Sequence, residues 1–393
     1  MKALNDNAHP LESLLQQHCP NGVEFKELGE LCEINGGKLN ANKAQSKGLH
    51  EFFTYDYNNP KFVDNYAWDT EALIICKKDN GENPCRYFNG KFNAFQWMRI
   101  LHSFKNEANI HYIKYYFNAI FMQFLQTNSI NISLPYIAIE TIKKFPIPLP
   151  PLEIQYKIVE ILDAFTELEA ELEAELEARL KQYHYYRNKL LSHDELENRT
   201  AKSRNDSDPA TLVPYVRLGE ACEILDNLRK PITKSKRTQG IYPYYGANGI
   251  QDYVNEYIFD GDFLLMGEDG SVINKDNSPV LNWVSGKFWV NNHAHILKEK
   301  SNTTNLRFVF FYLQTCDVSS IVRGVPPKIN QQNLKTIQIP LPPLAVQNEI
   351  VELLDKFDTL TNDLTSGIPA EIEARKKQYE YYRERLLSFI AKD

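Results

Sequence analysis

The sequence lacks the features of a membrane-spanning or secreted protein. Its 393 residues contain no apolar run of the eighteen or so residues that a membrane-spanning helix needs. Residues 1–6 lack the apolar core of a signal peptide. Its 6 cysteines are scattered and form no Cys-x-x-Cys pair, which argues against a disulfide framework and against a zinc site. These absences predict a cytoplasmic protein with no bound metal.

The signatures of common catalytic sites are also missing. A phosphate-binding Gly-x-x-x-x-Gly-Lys-Ser/Thr loop is absent, because Gly37-Lys38 is followed by leucine and Gly286-Lys287 by phenylalanine. The sequence contains no His-Glu-x-x-His, no Gly-x-Gly-x-x-Gly after a strand and no Asn/Asp-Pro-Pro-aromatic motif of amino-methylating DNA methyltransferases. We therefore predict a binding subunit without catalytic residues. A nuclease or methyltransferase with cryptic motifs is the enzymatic alternative.

The acidic charge is concentrated in one segment. The formal net charge is −7, but residues 153–177 alone carry nine acidic residues and one lysine, a local charge of −8. The rest of the chain therefore carries about +1, so its globular parts retain enough basic residues for a polyanionic partner.

A long internal repeat predicts the architecture. Ile147–Leu152 and Ile339–Leu344 both read Ile-Pro-Leu-Pro-Pro-Leu, and each is followed by a helix-forming stretch that ends in Lys-Gln-Tyr-x-Tyr-Tyr-Arg. Each copy is preceded by a variable stretch that opens with Leu-Gly-Glu, at Leu28 and Leu218. Such a self-match indicates a tandem duplication with the order globule, helix, globule, helix. The predicted segments are an N-terminal helical segment 1–22, a first globule 23–150, a helical region 151–198, a linker 199–212, a second globule 213–342 and a second helical region 343–393.

The two helical regions carry leucine stripes that need a partner helix. In the first region a Leu-Glu-Ala-Glu tetrad recurs, and alanine, leucine and glutamate are strong helix formers. In the second region, residues 366–369 (Ser-Gly-Ile-Pro) predict an interruption of the helix. The tyrosines of the helix ends are predicted to pack where two helices meet, to dock a protein partner, or both. The predicted packing residues are Leu168, Leu172, Leu176, Leu180, Tyr183, Tyr186, Leu360, Leu364, Tyr379 and Tyr382.

Basic and amide side chains in loop-like stretches are the candidates for nucleic-acid contact. Residues 229–237 hold five cations in nine residues, and Lys and Arg there suit phosphate oxygens. Residues 323–333 offer amides and cations of the kind that read base edges. For the cations, the alternative interpretation is a solvated loop. For Tyr244, which is among the candidates, the alternative is a position in the core. The predicted DNA-contacting residues are Lys38, Asn40, Asn42, Lys43, Lys77, Lys78, Arg229, Lys230, Lys234, Lys236, Arg237, Tyr244, Asn248, Arg323, Lys328, Asn330 and Gln331.

Together these paired motifs resemble the specificity subunits of type I restriction–modification enzymes. The ordered set appears twice: Leu-Gly-Glu, Ile-Pro-Leu-Pro-Pro-Leu and Gln-Tyr-x-Tyr-Tyr-Arg, with Tyr-Gly-Ala-Asn-Gly at residues 245–249. The resemblance implies an α+β fold with two similar α/β target recognition domains. These would be joined by two long antiparallel helices, packed as a coiled coil with pseudo-two-fold symmetry. Each domain would read one half of a split double-stranded DNA sequence, and the helices would set the distance between the halves.

The resemblance also implies partners and cofactors. Such subunits bind two methyltransferase subunits, and motor–nuclease subunits when restriction occurs. S-adenosylmethionine, ATP and Mg²⁺ would be held by those partners and not by this chain. The first globule departs from the second in lacking Tyr-Gly-Ala-Asn-Gly, and it has fewer polar donors at residues 133–139. Two other interpretations stay open: a coiled-coil scaffold whose globules bind proteins, and a specificity subunit of a methylation-only system.

Overall fold

The computed structural model describes most of the chain. The described residues are 19–56, 59–75, 85–128, 137–204, 213–300 and 302–389. The chain divides into two compact units, one of 1–172 with 372–393 and the other of 173–371. Most of the predicted N-terminal helical segment, residues 1–18, lies outside the described part. Within the described part, no helix combines the length and hydropathy that crossing a membrane requires.

The first unit is built on a six-stranded sheet with the strand order β2-β7-β5-β6-β3-β4 and a separate β1–β8 pair. The β3–β6 pairing is parallel and the others are antiparallel. Its elements are β1 (Glu24–Glu27), α1 (Leu28–Leu31), β2 (Glu33–Gly36), β3 (His50–Phe53), β4 (Lys61–Val63), β5 (Trp68–Ile75), β6 (Cys85–Ala94), β7 (Arg99–His102), α2 (Ile110–Thr127), α3 (Ile139–Lys143), β8 (Pro146–Leu149) and the start of α4 (Leu152–Leu190).

The second unit repeats this topology. Its six-stranded sheet has the order β10-β15-β13-β14-β11-β12, which is the first order with each strand replaced by its counterpart, and β11–β14 is again the parallel pair. After the end of α4, its elements are α5 (His193–Arg204), β9 (Tyr215–Arg217), α6 (Leu218–Ala221), β10 (Cys222–Ile224), β11 (Gln239–Gly246), β12 (Gly249–Val254), β13 (Phe259–Gly267), β14 (Leu281–Val290), β15 (Ala294–Glu299), α7 (Leu306–Leu313), α8 (Gln331–Lys335), β16 (Gln338–Pro340), α9 (Leu344–Asn362) and the start of α10 (Ile368–Leu387).

Both faces of each large sheet are covered, which explains the continuous apolar runs in the central strands. Successive residues of a strand point to opposite faces. In β5, Leu73 packs in one cluster with Phe117 of α2, whereas Ile74 packs in a second cluster with Phe92 on the opposite face. The counterpart strand β13 divides its side chains between two clusters in the same way.

The repeated proline motif closes each globular part and is fixed by a buried glutamine. The first proline of each motif lies in a strand, Pro148 in β8 and Pro340 in β16, and the other prolines follow the strand. Each of these strands pairs with one other strand only, so a proline there, which has no N–H group, can be accommodated. In the first turn of α4, Gln155 Nε2 donates to the carbonyls of Glu107 and Pro150, and its Oε1 accepts Asn109 N–H. Gln347 in α9 makes the same three bonds, to Thr303, Pro342 and Asn305.

The helices agree with the sequence-based prediction at some points and correct it at others. The first helical region is one helix that ends at Leu190, and the interruption predicted at residues 366–369 is confirmed by the gap between α9 and α10. Two predictions are wrong. The residues 199–204 belong to α5 and not to a linker. Leu364 lies beyond the end of α9 and is 79% exposed, because Asp363 accepts hydrogen bonds from Thr365 and Ser366 and forms a turn there.

The tyrosines of the helix ends pack in equivalent ways in the two units. Tyr382 stacks on Phe165 of α4, with ring centroids 5.4 Å apart, and Tyr186 stacks on Phe357 of α9 at 5.6 Å. Tyr379 packs against the core of the first unit, and Tyr183 is buried in the core of the second. Of the predicted leucine stripe, Leu172 is buried, Leu168, Leu176 and Leu180 are half-buried, and Leu360 is exposed.

Candidate nucleic-acid interface

Five loops of the second unit meet at one edge of its sheet. We call this edge the second rim and define it as residues 226–230, 246–249, 267–273, 291–294 and 322–331. Backbone hydrogen bonds connect three of the loops: Glu268 N to His293 O (2.8 Å), Gly270 N to Pro327 O (2.9 Å) and Ile329 N to Glu268 O (2.8 Å). The side chain of Arg229 connects a fourth loop to Asn292 O. The rim is therefore one connected surface built from segments that are far apart in sequence.

A buried network of charged groups holds the rim together. His295 is fully buried, with Nδ1 2.6 Å from Asp226 Oδ2 and Nε2 2.8 Å from Ile329 O. Because both partners are acceptors, the two bonds form together only when each ring nitrogen carries a hydrogen. Arg229 donates to Glu268 and to Ala294 O, and Lys328 Nζ lies 3.1 Å from Glu268 Oε1.

Asp226 is the acceptor at the centre of this network. Gln331 Nε2 lies 3.1 Å from its Oδ2, and Ile296 N lies 3.1 Å from its Oδ1. Burial by itself raises the pKa of Asp226, but the hydrogen bond and charge of His295, the charge of Arg229 and the Ile296 N–H outweigh burial and lower it. The carboxylate is thus the favoured form despite its burial.

The same network decides whether the rim can hold a metal ion. Asp226, Glu268 and His295 have ligand atoms within 4.8 Å of one another, and no other such group occurs among the described residues. The guanidinium of Arg229 and the ammonium of Lys328 already neutralise Glu268, and His295 uses both ring nitrogens. A dication would have to displace these cations, so the described contacts favour an ion-pair network over a bound metal ion at this cluster.

A tight turn closed by one backbone bridge projects from the rim above this network. Arg323 and Lys328 exchange two backbone hydrogen bonds of 2.8 and 2.7 Å. Gly324 has a φ of +81°, a conformation that favours glycine. At the tip, the side chain of Val325 is completely exposed (101%). The turn thus presents one apolar side chain between two exposed cationic residues.

The predicted basic segment 229–237 divides into exposed and internal residues. Lys230, Lys234 and Lys236 are exposed and form no ion pair with any described residue. Arg237, in contrast, pairs with Asp252 at 3.2 Å and lies over the ring of a neighbouring tyrosine. We therefore keep the three lysines as candidate DNA contacts and assign Arg237 a structural role.

Tyr244 and Arg229 are corrected in the same way. Tyr244 is 1% exposed, packs with Val254 and Trp289, and accepts the Ile232 N–H at 3.0 Å, so it is a core residue of β11. Arg229 is directed inward by its bond to Glu268. These side chains offer no exposed polar group to DNA; their effect on binding would be indirect, through the loops that they position.

The remaining predicted contacts of the second unit lie on the rim. Asn248 is exposed at the turn between β11 and β12, and Arg323 and Lys328 are exposed at the projecting turn. Asn330 accepts the Asn333 N–H with its side chain and so caps α8, and Gln331 is bonded to Asp226. The turn residues therefore keep their candidate role, whereas Asn330 and Gln331 use polar atoms to fix the start of α8.

The first unit has a matching edge with different side chains. Gly37 packs so tightly that an added Cβ would lie 1.9 Å from Phe95 O, and Lys38 lies over the Trp68 ring at 4.8 Å. Asn40, Asn42 and Lys43 are exposed in and beside a 3₁₀ turn in the β2–β3 connection. The basic segment of the second unit occupies the equivalent β10–β11 connection, also with a 3₁₀ turn. Lys77 and Lys78 lie outside the described residues.

One anchoring contact is shared by the two edges although the residues differ. In the second unit His295 of β15 binds the carbonyl of Ile329, the residue before the N-cap of α8. In the first unit Arg99 of β7 donates through Nε to the carbonyl of Ile137, the residue before the N-cap of α3, at 2.8 Å. Both units therefore tie the loop before the short helix to the same strand of the sheet.

The sequence-based prediction missed the residues that position these loops. Asp226, Glu268 and His295 are isolated in sequence, and no spacing rule connects them. Gln155 and Gln347 left a signal, because each follows the last proline of its repeat by four residues.

Comparison with known proteins identifies the family. The model of the type I restriction modification DNA specificity domain matches residues 20–182 and again residues 213–374. The chain belongs to this family. The match occurs twice, once for each globular part with most of the helical region that comes after it, so the resemblance predicted from the paired motifs is confirmed.

Relatives in this family support the assignment over most of the chain. The chain is 32% identical over 409 residues to the EcoR124I/EcoR124II specificity subunit of Escherichia coli, covering 93% of this chain and 94% of that protein. It is 44% identical over 181 residues to a putative type I restriction enzyme specificity subunit of Haemophilus influenzae, a match that spans 45% of this chain and 46% of that protein.

Solved structures support the fold. A type I restriction–modification S subunit from M. genitalium superposes with a TM-score of 0.61 at 17% identity and covers 99% of both chains. A chain from a study of complex assembly and conformational transition of the type I R-M system gives a TM-score of 0.51 at 16% identity, covering 94% of this chain and 98% of that chain. The predicted fold class, two similar sheet-rich domains with long helices, is thereby confirmed.

Proposed function

We propose that this chain is the DNA-binding specificity subunit of a type I restriction–modification complex, in which each domain reads one half of a split sequence. The observation that carries this proposal is the pair of sheets with identical strand order whose equivalent edges present different side chains. The two units share one sheet topology but present different side chains at their equivalent edges. Such a pair suits a target whose two halves differ in sequence. The match of each globular part to a DNA specificity domain supports DNA as the partner of both edges.

The exposed residues of the rims fit this role chemically. Lys230, Lys234 and Lys236 are available to phosphates, which are the usual partners of lysine on DNA. Asn248 and Arg323 carry groups that read base edges. The acidic face of α4 would be repelled by phosphates, so it suits a helix that spaces the domains and contacts protein.

The chemistry of the complex would reside on other subunits. We propose that two methyltransferase subunits dock on the helical regions and hold S-adenosylmethionine, and that motor–nuclease subunits hold ATP and Mg²⁺. The contribution of this chain is to position those subunits on a chosen sequence. The one cluster of potential ligands among the described residues is neutralised by Arg229 and Lys328, which agrees with a non-catalytic role.

The continuous helix α4 suits a molecular spacer, and this gives a first test. Deleting Leu172–Glu175 removes about 6 Å of helix and rotates the rest of α4 by about 40° beyond a full turn. Since duplex DNA rises about 3.4 Å per base pair, the unread gap between the half-sites should shorten by one or two base pairs. The base sequences of both half-sites should stay the same.

The measurement is sequencing of methylated adenines in cells that express the deletion variant with its methyltransferase subunits. Glu171→Gln, which changes an exposed residue of the same helix without changing its length, serves as the control and should keep the original gap. An unchanged gap in the deletion variant, or altered half-site letters, would contradict the spacer role.

A further inference from the structure

The turn formed by residues 323–328 has an exposed apolar side chain at its tip and a set of contacts that fixes the position of that side chain. Among the described residues, Val325 is the most exposed large hydrophobic side chain, at 101% compared with 79% for Ile241. An isolated exposed apolar residue is common on proteins and by itself indicates nothing. Val325, however, is also held at a fixed position.

Three sets of contacts hold Val325 in its position at the tip of the turn. Within the turn, Arg323 and Lys328 exchange two backbone hydrogen bonds, and Pro326 and Pro327 restrict the chain directly after Val325. Beside the turn, Gly270 N donates to the carbonyl of Pro327.

Beneath the turn lies the buried network of the rim. Lys328 pairs with Glu268, and His295 binds the carbonyl of Ile329. Precise placement of a side chain by such supporting contacts is what a recognition residue requires, whereas a residue that only fills a surface loop does not need it.

The shape and charge of the turn indicate which part of DNA it fits. The turn is closed by a single backbone bridge between Arg323 and Lys328. Its exposed tip can enter the major groove, which is about 12 Å wide and admits protein elements more readily than a minor groove of about 6 Å. Arg323 flanks the tip and is exposed, so its guanidinium can approach a phosphate, whereas the ammonium of Lys328 on the other side of the tip pairs with Glu268.

In the major groove, the apolar group that a base presents is the C5-methyl of thymine. We infer that Val325 is a specificity-determining residue that packs against a thymine methyl group in the half-site read by the second domain. This inference rests on the proposed function and adds the residue, the groove and the base.

The test uses the full chain assembled with its methyltransferase subunits, and a duplex that contains the motif obtained by methylation sequencing. Each thymine of the motif is replaced in turn by deoxyuridine, which removes only the methyl group. For the wild-type complex, we expect one such replacement in the second half-site to weaken binding about three- to ten-fold. For Val325→Ala, the same replacement should have no effect.

Ile241→Ala is the matched control, since Ile241 is also exposed on the second unit but lies on β11 away from the rim. This variant should keep the wild-type penalty for deoxyuridine. Methylation sequencing of Val325→Ala should show relaxed selection at the same position and an unchanged first half-site.

The inference is overturned if Val325→Ala keeps every deoxyuridine penalty, if it weakens all DNA equally, or if the half-site contains no thymine on either strand. Those outcomes leave the proposed function intact, because the wild-type complex still reads a split motif. A wild-type complex that selects no sequence would instead refute the proposed function, and the inference with it.

Discussion

Replacing Gln347 by leucine is expected to lower the free energy of unfolding of the second domain by about 4 kcal/mol. Gln347 is completely buried and makes three hydrogen bonds of 2.7–2.9 Å. Leucine fills a similar volume but leaves the carbonyls of Pro342 and Thr303 and the N–H of Asn305 without partners, and each unpaired buried group costs about 1–3 kcal/mol.

Hydrogen exchange measured by mass spectrometry is the suitable readout, because a chain with two units need not unfold in one step. In Gln347→Leu, peptides from residues 213–300 should exchange faster, while peptides from residues 85–128 should be unchanged. Gln155→Leu should give the reverse pattern. Thr359→Ala, at an exposed position of α9, is the control. If Gln347→Leu exchanges like that control, the repeated glutamine is not a structural anchor.

Replacing Asp226 by alanine is expected to destabilise the second domain by about 3–5 kcal/mol and to abolish methylation of the split motif. The change leaves the buried His295 without its nearest carboxylate, removes one of the two carboxylates beside Arg229, and frees Gln331 at the start of α8. Because these contacts position the turn of residues 323–328, the variant should no longer recognise the second half-site. Asp260→Asn, at an exposed position of the neighbouring strand β13, should retain stability and methylation.

The pH dependence gives a separate check on Asp226. A carboxyl group whose pKa is lower in the folded than in the unfolded chain stabilises the fold at pH values above its ordinary pKa of 3.8. That contribution is lost as the pH falls through the lower, folded value. The protection of second-domain amides, measured relative to the intrinsic exchange rate at each pH, should therefore fall below about pH 4 more steeply in the wild type than in Asp226→Asn. Equal pH profiles would show that Asp226 is not held ionised by the network.

The architecture could be predicted from sequence because the duplication repeats complete sequence motifs. The paired proline motifs and helix-end tyrosines appear in the same order twice, and the two sheets have the same strand order. The break between α9 and α10 was predictable from residues 366–369, since glycine and proline there end a leucine stripe. Leu364 was mispredicted because the stripe was extended through a turn fixed by Asp363.

The site was less predictable because its side chains are paired over long sequence distances. Arg229 looked like a surface cation, but its partner Glu268 is 39 residues away and buried beside it. Tyr244 belongs to an aromatic stretch, and only its place in β11 decides that it points into the core. Conversely, the tip residue Val325 is apolar, so no search for basic or amide residues would select it.

The central claim is that this chain selects a split DNA sequence for its complex, and adenine methylation tests it most directly. Methylated adenines should be sequenced genome-wide in cells that carry the methyltransferase gene with and without the gene for this chain. The account predicts a motif of two short half-sites around a fixed gap, present with the chain and lost without it. Methylation that is unchanged when the chain is removed would contradict the claim and favour a scaffold that binds proteins.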